Sequence, residues 1–310
     1  MASPSQTAAA PAAGPGLAPA YLALAAAALF WGGNWVLARW IQNQFPPQTL
    51  GLLRWGSAAL FLLPFALGPT LRVWPAVRRE WRRLAILGAI GVTGFSALSY
   101  TGLSFTTSIN GSLLNTAAPV FIMVLAALGF GERITLAEVA GVAVSIVGVV
   151  VIIARGSLDL LAAMRVNAGD AIVLVAVLLW AVYTVLLRRW RIQLPPMVFL
   201  FTTIVLSLPL PIATTGLEYA LGAPAPSPDA IGLLTIVYLG LFPSIGAYAC
   251  WNFGVSRAGA ARATLFQYLI PVFAAGLAVA ILGEEVRLFH VAGAALIVGG
   301  LLLATRAKAR

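Results

Sequence analysis

The sequence predicts an all-α integral membrane protein in which ten transmembrane helices form two inverted five-helix repeats around a central cavity. Three observations predict this fold class. Of the 310 residues, 61% are hydrophobic and only 9% are charged, and the mean hydropathy is +0.97. The apolar residues form ten separate runs, each about as long as a helix that crosses a bilayer. Motifs of the first half of the chain return in the second half in the same order.

The apolar runs define the predicted helices. A run of about 20 residues crosses a hydrocarbon core of about 30 Å as an α-helix, and a helix satisfies its own backbone hydrogen-bonding groups there. Turn residues separate the runs, as in the loops that contain Pro46 and Pro195. The predicted spans are residues 20–41, 48–67, 83–104, 108–129, 135–154, 168–187, 196–215, 229–254, 258–282 and 287–305.

Composition outside these runs divides the chain into units. Residues 1–19 are rich in Ala, Pro and Gly and contain no Lys or Arg, which predicts a disordered N-terminal tail rather than a signal peptide. Residues 20–154 are predicted to form the first five-helix repeat and residues 155–167 a linker. Residues 168–305 are predicted to form the second, inverted repeat, before a basic C-terminal tail over 306–310.

An internal duplication is visible at two constant offsets. The segment 31–47 aligns without gaps on 180–196, an offset of 149, with identical Trp, Arg, Gln and Pro-Pro positions. Later in each half the offset is 152, and it aligns Pro119 with Pro271 and Glu132 with Glu284. Five spans is an odd number, so the second copy must lie upside down relative to the first. Inverted repeats of this kind place a substrate site near the membrane midplane, between the two halves.

Basic residues in the connections predict the orientation. Alternating the ten spans places fourteen Lys and Arg residues on one side and five on the other. The side richer in Lys and Arg is expected to be cytoplasmic. Both termini are then cytoplasmic, in a multi-pass protein of the cell inner (plasma) membrane. The net charge of +10 is explained by this topology, so we expect no nucleic-acid partner.

The order of these motifs resembles a known family. "WG" stands in span 1, Arg54 lies in span 2, and each half closes with a P-V-F, G-E and two-glycine pattern. The chain resembles EamA-type exporters of the drug/metabolite transporter (DMT) superfamily over nearly its whole length. The segments 178–185 and 247–254 are also similar to those of the YddG-like branch, which implies export of aromatic amino acids.

Polar and aromatic residues within the spans predict the cavity. Such residues are costly in a membrane interior and usually face a cavity or a neighbouring helix. Pairs three or four residues apart share one helix face, and here the pairs fall at positions that the two offsets equate. Phe95 is expected to flank them. The predicted substrate-binding residues are Trp31, Asn34, Phe95, Ser96, Tyr100, Ser112, Asn115, Trp180, Tyr183, Tyr248, Asn252, Thr264 and Gln267.

Structural interpretations compete with each of these assignments. Small polar residues often form hydrogen bonds between helices, and Trp or Tyr often lies at the membrane interface. Pro119 and Pro271 fall inside their spans and predict either a hinge or a static kink. Glu132 and Glu284 precede spans 5 and 10, where a carboxylate interacts favourably with the helix dipole, although a gating role is the alternative.

The placement of charge limits the substrate. The nine acidic residues fall in loops or near span ends, and only Arg54 lies well inside a span. Proton coupling needs a titratable group along the pathway, and an exchanger of phosphorylated sugars needs several cations. We therefore expect facilitative export of small neutral or zwitterionic metabolites, above all aromatic and other large neutral amino acids, by alternating access. A proton-coupled drug or metabolite antiporter is the alternative, and a passive pore is a further one.

Catalysis is not expected. An intramembrane enzyme needs a nucleophile with a base, or a metal cluster, and His290 and Cys250 are the only residues of their types. We expect no enzyme activity, no cofactor and no metal. The expected partners are a small-molecule substrate and the lipid bilayer, with the protein acting as a monomer.

Overall fold

A computed structural model describes residues 17–130, 136–157, 167–258 and 266–306, and every regular element in these ranges is helical. The helices of the first half are α1 (Ala18–Trp40), α2 (Pro47–Arg72), α3 (Trp74–Leu87), α4 (Phe95–Leu103), α5 (Ser108–Asn115), α6 (Ala118–Phe130) and α7 (Leu136–Ile153). Those of the second half are α8 (Ala168–Trp190), α9 (Pro196–Ser207), α10 (Pro209–Ala220), α11 (Ala230–Leu241), α12 (Ala247–Ala258), α13 (Leu269–Leu282) and α14 (Leu288–Arg306).

The helices have the length and composition of membrane spans. Within the described ranges, seven helical segments are long and apolar enough to cross a bilayer, and three shorter apolar helices accompany them. Many large apolar side chains are exposed on the outside of the bundle, among them Leu22, Phe65 and Leu128, as expected for a surface that faces lipid. The prediction of an all-helical membrane protein is confirmed, while the count of ten spans remains a prediction.

Prolines and glycines determine where helices begin and change geometry. The second proline of each Pro-Pro pair is the first residue of α2 and of α9, a position that needs no backbone N–H partner. A π-helical segment, Gly88–Gly94, joins α3 to α4, and another, Phe242–Gly246, joins α11 to α12. A Cβ atom at Gly88 would collide with the carbonyl oxygen of Thr203, so glycine allows α9 to approach closely.

Helix pairing follows a consistent pattern in the two halves. Helix α1 packs against α12 and α13, and α8 packs against α4 and α6. Helix α2 packs against α11, and α9 packs against α3. Each of these contacts joins the two halves, and each has a counterpart at the positions that the sequence offsets equate. The boundaries of the predicted repeats and tails remain predictions.

The pair α7 and α14 lies antiparallel through small residues. A Cβ atom at Gly148 would lie 2.7 Å from the carbonyl oxygen of Gly293, and one at Gly300 would collide with the carbonyl oxygen of Gly141. The hydroxyl of Ser145 donates to the carbonyl oxygen of residue 297 at 3.1 Å. Small residues let the two backbones approach, as is common between membrane helices. This pair packs beside the bundle, and its residues do not line the cavity described next.

Candidate substrate cavity

A cavity of about 1090 Å³ lies in the middle of the bundle, between helices of both halves. It is larger than the usual cleft for a small molecule, which spans roughly 300 to 1,000 Å³. Ten of the thirteen predicted substrate-binding residues line it, and they come from both halves of the chain. These residues are Trp31, Asn34, Phe95, Ser112, Asn115, Trp180, Tyr183, Tyr248, Asn252 and Gln267.

Two of the other three predicted residues lie behind the cavity wall. Ser96 and Tyr100 are buried in the packing behind the cavity wall, with 1% and 0% of their surfaces exposed. Thr264, like Glu132, lies outside the described residues. The predicted hinge or kink residues, Pro119 and Pro271, both line the cavity. In each case the helix is interrupted just before the proline, where α6 and α13 begin.

Aromatic rings form two groups on the cavity wall. Trp31 lies edge-on to Tyr248 at 5.9 Å between centroids and is tilted against Trp251 at 5.6 Å. Trp180 lies 5.5 Å from Phe95 and 5.1 Å from Tyr183. Such pairs contribute about 0.5–1.5 kcal/mol beyond the area they bury. They hold the rings in fixed orientations while leaving aromatic faces beside the cavity.

The indole nitrogen of Trp31 is anchored at the second π-helical segment. Trp31 Nε1 donates to the carbonyl oxygen of Pro243 at 3.2 Å. A π-helical turn leaves carbonyl groups out of the usual α-helical pattern, and such turns often occur at functional sites. The first π-helical segment contributes Gly91 and Val92 to the cavity wall, and the second contributes Ile245. Both irregular segments therefore lie beside the cavity.

Arg54 also lines the cavity, although the predicted set does not contain it. Its guanidinium is fixed by hydroxyl groups from two other helical segments. Arg54 Nε donates to Ser244 Oγ at 2.8 Å, and Nη1 donates to Tyr100 Oη at 3.0 Å and to Ser96 Oγ at 3.5 Å. The same group lies 4.5 Å from the ring centroid of Trp55, in reach of a cation–π interaction. Ser96 and Tyr100 thus support an arginine rather than lining the cavity themselves.

Neutral polar atoms complete the wall. Tyr100 Oη donates to Asn34 Oδ1 at 2.8 Å, which connects the arginine to α1. The Ser112 hydroxyl donates to the carbonyl oxygen of Ile109 at 2.9 Å, within its own helix. Asn115 Oδ1 is buried and has no hydrogen-bond partner among the described residues. An unpaired buried acceptor is uncommon in folded proteins and costs about 1–3 kcal/mol.

Several lining residues are absent from the sequence-based set. Trp35, Trp55, Thr184 and Tyr268 line the cavity together with Arg54. Arg54 carried a usable signal, because a cation inside an apolar span marks a functional position by default. The others look like ordinary apolar or small polar residues of their helices, and only the packing places them at the cavity.

One end of the bundle is held together by polar contacts and contributes no lining residue. We call it the bonded end, formed by residues 39–49, 101–110, 167–170, 218–229 and 284–290. The carboxylate of Glu218 accepts hydrogen bonds from the backbone N–H groups of Gln48 and Thr49 at 2.9 and 3.0 Å.

Other contacts at the bonded end connect helices within the first half and helices of the two halves. Arg39 Nη1 donates to the carbonyl oxygen of Leu103 at 2.6 Å. Buried Asp170 accepts hydrogen bonds from the Thr106 hydroxyl and the Asn110 amide, and Asn110 Oδ1 pairs with His290 Nε2 at 2.9 Å. This network links α5 to both α8 and α14.

Glu284 accepts hydrogen bonds at a helix N-terminus, but the helix is α5 and not α14, which follows Glu284 in the sequence. Its carboxylate accepts from Ser108 N at 2.9 Å, Ser108 Oγ at 2.8 Å and Ile109 N at 3.0 Å. These groups form the N-terminus of α5, in the other half of the chain, rather than of α14. The expectation that Glu284 stabilises a helix N-terminus is met at a different helix, because the loop after α13 turns toward α5 through Gly283 at φ 66°.

The cavity extends toward the opposite end of the bundle. Its lining includes Leu187 and Arg188 at the end of α8, and Pro196 and Met197 at the start of α9. The charged lining residues are Arg54 and Arg188, and no described lining residue is acidic. We call this end of the bundle the basic end, because Arg188 and Arg189 lie in the last turn of α8.

These features define a multi-pass membrane protein with a cavity that extends from the middle of the bundle to one end. The EamA-like transporter family matches the sequence twice, over residues 18–154 and 167–306. The chain belongs to this family.

Relatives across nearly the whole chain carry transporter names. The uncharacterized transporter YyaM of Bacillus subtilis is 28% identical, over 92% of this chain and 93% of its own. A probable terminal-alkyne amino-acid exporter of Streptantibioticus cattleyicolor is 32% identical, over 85% of this chain and 89% of its own. A probable amino-acid metabolite efflux pump of Salmonella typhimurium is 27% identical, over 88% and 90%.

The fold has a counterpart among solved structures. A protein crystal structure matches this chain with a TM-score of 0.62 and 25% identity, over 94% of this chain and 99% of that one. The similarity therefore extends over nearly the whole chain.

Proposed function

We propose that this protein exports amino acids with aromatic or other large apolar side chains across the plasma membrane. The observation that carries the proposal is the cavity, which combines aromatic faces with neutral polar groups and contains no acidic residue among those described. Aromatic faces favour flat apolar side chains, and the polar atoms suit a zwitterionic backbone. Two relatives with amino-acid exporter or efflux names support the same substrate class.

Transport is proposed to proceed by alternating access between two inverted five-helix repeats. The double family match supports the duplication, and the antiparallel packing of α7 on α14 supports the inversion. The lining residues at the basic end and the polar contacts at the bonded end support a state that is open at the basic end and closed at the bonded end. With the basic end in the cytoplasm, as the fourteen-to-five distribution predicts, this state would load substrate from the cell.

The driving force is proposed to be the substrate's own gradient. A proton can drive transport only through a group whose protonation differs between the two states. The neutral polar residues at the cavity do not titrate near neutral pH. Asp170 and His290 lie in the bonded end and hydrogen-bond within it, away from the cavity lining. The protein is thus proposed to act as a facilitative carrier, and as a monomer.

The test is exchange in proteoliposomes. Vesicles loaded with unlabelled L-phenylalanine should take up labelled L-phenylalanine in a saturable manner, and uptake should be faster than in empty vesicles. L-Tryptophan should compete, and glycine should compete weakly. A pore would show neither saturation nor stimulation by internal substrate. Uphill accumulation that follows an imposed pH gradient would replace the facilitative mechanism with proton antiport.

A further inference from the structure

Arg54 is a buried cation at the cavity wall. It is the eighth of the 26 residues of α2, and only 5% of its surface is exposed. Hydrogen bonds to Ser244 and Tyr100, together with the ring of Trp55, fix the plane of its guanidinium. Contacts from three helical segments therefore fix the position of the group, and Arg54 is among the residues that line the cavity.

Among the described residues, no carboxylate forms an ion pair with Arg54. Its hydrogen-bond partners are hydroxyl groups, which are neutral. No carboxylate of the described residues lies within 4.0 Å of the guanidinium, and the described cavity lining contains no acidic residue. Removing an arginine from water without an anion to balance its charge is unfavourable. An anion that enters the cavity would therefore gain an interaction that the protein itself leaves unmade.

The guanidinium also has N–H groups that make no hydrogen bond to the described residues. Arginine has five N–H donors in a planar fork, and the hydrogen bonds present use Nε and Nη1. Within the described part of the chain, Nη2 has no hydrogen-bond partner. A planar guanidinium edge binds a carboxylate with short, charge-assisted hydrogen bonds.

The fold itself does not require a cation at this place. The offset of 149 equates Arg54 with Thr203 on α9, and Thr203 also lines the cavity. The Thr203 hydroxyl donates to the carbonyl oxygen of Phe199 at 2.8 Å, within its own helix. A neutral residue therefore satisfies the equivalent position in the other half, and the charge of Arg54 calls for a different explanation.

We propose that Arg54 binds the carboxylate of the transported solute. A single cation at this depth suits a monoanionic carboxylate better than a doubly charged phosphate. Asn115 Oδ1, the buried acceptor without a partner, is suited to the ammonium group of the same solute. The inference rests on the proposed function and deepens it, because it names the group of the amino acid that the cavity recognises.

The experiment compares ligands that differ only in their charged groups. L-Phenylalanine, L-phenylalaninamide and 3-phenylpropionate compete for exchange of labelled L-phenylalanine in proteoliposomes. The same three compounds are tested for thermal stabilisation of the purified full-length protein. In the wild type, the two carboxylates should bind, and the amide should bind about 10- to 100-fold more weakly than L-phenylalanine, as expected for loss of one ionic hydrogen-bonded contact.

Substitution of Arg54 should remove this preference selectively. Arg54→Gln should weaken binding of L-phenylalanine about 10- to 100-fold and leave binding of the amide nearly unchanged. Arg54→Lys should keep part of the preference, because it retains the charge without the planar fork. Arg39→Gln is the matched control, because Arg39 donates hydrogen bonds within the bonded end and does not line the cavity. Its ratio of amide to L-phenylalanine affinity should equal that of the wild type.

The outcomes separate this inference from the proposed function. The Arg54 inference is wrong, and the proposed function stands, if the wild type exchanges L-phenylalanine but binds L-phenylalaninamide equally well. The same conclusion follows if Arg54→Gln weakens binding of the two compounds by the same factor. Should Arg54→Gln fail to fold, an undiminished preference in Arg54→Lys would overturn the inference. If L-phenylalanine is not exchanged, but 3-phenylpropionate stabilises the wild type and not Arg54→Gln, the amino-acid substrate is wrong and the carboxylate contact stands. If no carboxylate is exchanged or stabilises the protein, both are wrong.

Discussion

Glu284 offers a direct test of the proposal that polar contacts hold the bonded end closed. Its carboxylate accepts two backbone N–H groups and one hydroxyl at the N-terminus of α5, across a separation of 176 residues from Ser108. If the two halves move apart at this end during transport, these hydrogen bonds must break. The substitution Glu284→Gln keeps the size of the side chain and one acceptor oxygen but removes the charge.

The expected magnitude follows from these contacts. A carboxylate in a partly buried position at a helix N-terminus contributes up to about 2 kcal/mol through the dipole. Hydrogen bonds to a charged acceptor contribute about 1.5–3 kcal/mol, against about 0.5–1.5 kcal/mol for neutral ones. Since the amide retains part of the hydrogen bonding, we expect the Glu284 contacts to stabilise the closed bonded end by about 1–2 kcal/mol less in the variant. That loss corresponds to a roughly 5- to 30-fold shift toward states in which the bonded end is open.

Cysteine labelling measures this shift. In a Cys250→Ala background, Ile109→Cys places a thiol beside the contact, at a position that is 2% exposed in the structure. A membrane-impermeant maleimide should label it about 5- to 30-fold faster when Glu284→Gln is added. Glu285→Gln is the matched control, because Glu285 pairs at 3.1 Å with Arg287 on the surface, where ion pairs contribute little. Equal labelling rates in the two glutamine variants would refute the role assigned to Glu284.

Three further predictions concern the cavity, the packing of α7 on α14, and topology. Trp180→Ala removes a ring that packs 5.1 Å from Tyr183, so it should weaken L-phenylalanine exchange about tenfold without reducing the amount of folded protein in the membrane, as judged by size-exclusion chromatography. Gly148→Val places a methyl-bearing carbon against Gly293 and should lower the melting temperature, whereas Gly299→Val, whose Cβ meets nothing within 4 Å, should not. Reporter fusions should find the C-terminus in the cytoplasm, and a periplasmic C-terminus would reverse the proposed orientation.

Most helix positions follow from the sequence because hydropathy and helix length are properties of single segments. The predicted span 168–187 corresponds to Ala168–Trp190, and the predicted span 48–67 to Pro47–Arg72. The observed helices extend further at their polar ends, since a helix continues past the apolar run into residues such as Thr70. Hydropathy marks the part of a helix that faces hydrocarbon and does not mark where its hydrogen-bonding pattern stops.

The interruptions of the helices follow less directly from the sequence. Proline predicts the irregularity before Pro119 and Pro271, because the missing N–H and the ring act within one turn. The π-helical segment over Gly88–Gly94 contains no proline, and α9 approaches its backbone at Gly88. A contact between residues more than 100 positions apart leaves no local pattern that separates this stretch from an ordinary glycine-rich helix.

Duplication predicts where the cavity lies but not how it distinguishes its ligand. A cavity built by two equivalent halves offers similar groups from opposite directions, as Trp31 and Trp180 do. An amino acid has no such symmetry, because it carries one carboxylate and one ammonium group. A carrier that orients it needs a position where the halves differ. Arg54 and Thr203 form such a pair, with a charge on one side and a hydroxyl bonded within its own helix on the other. In the proposed mechanism, the repeat provides the two openings of the pathway, and the divergence between its copies sets the direction in which a substrate lies within it.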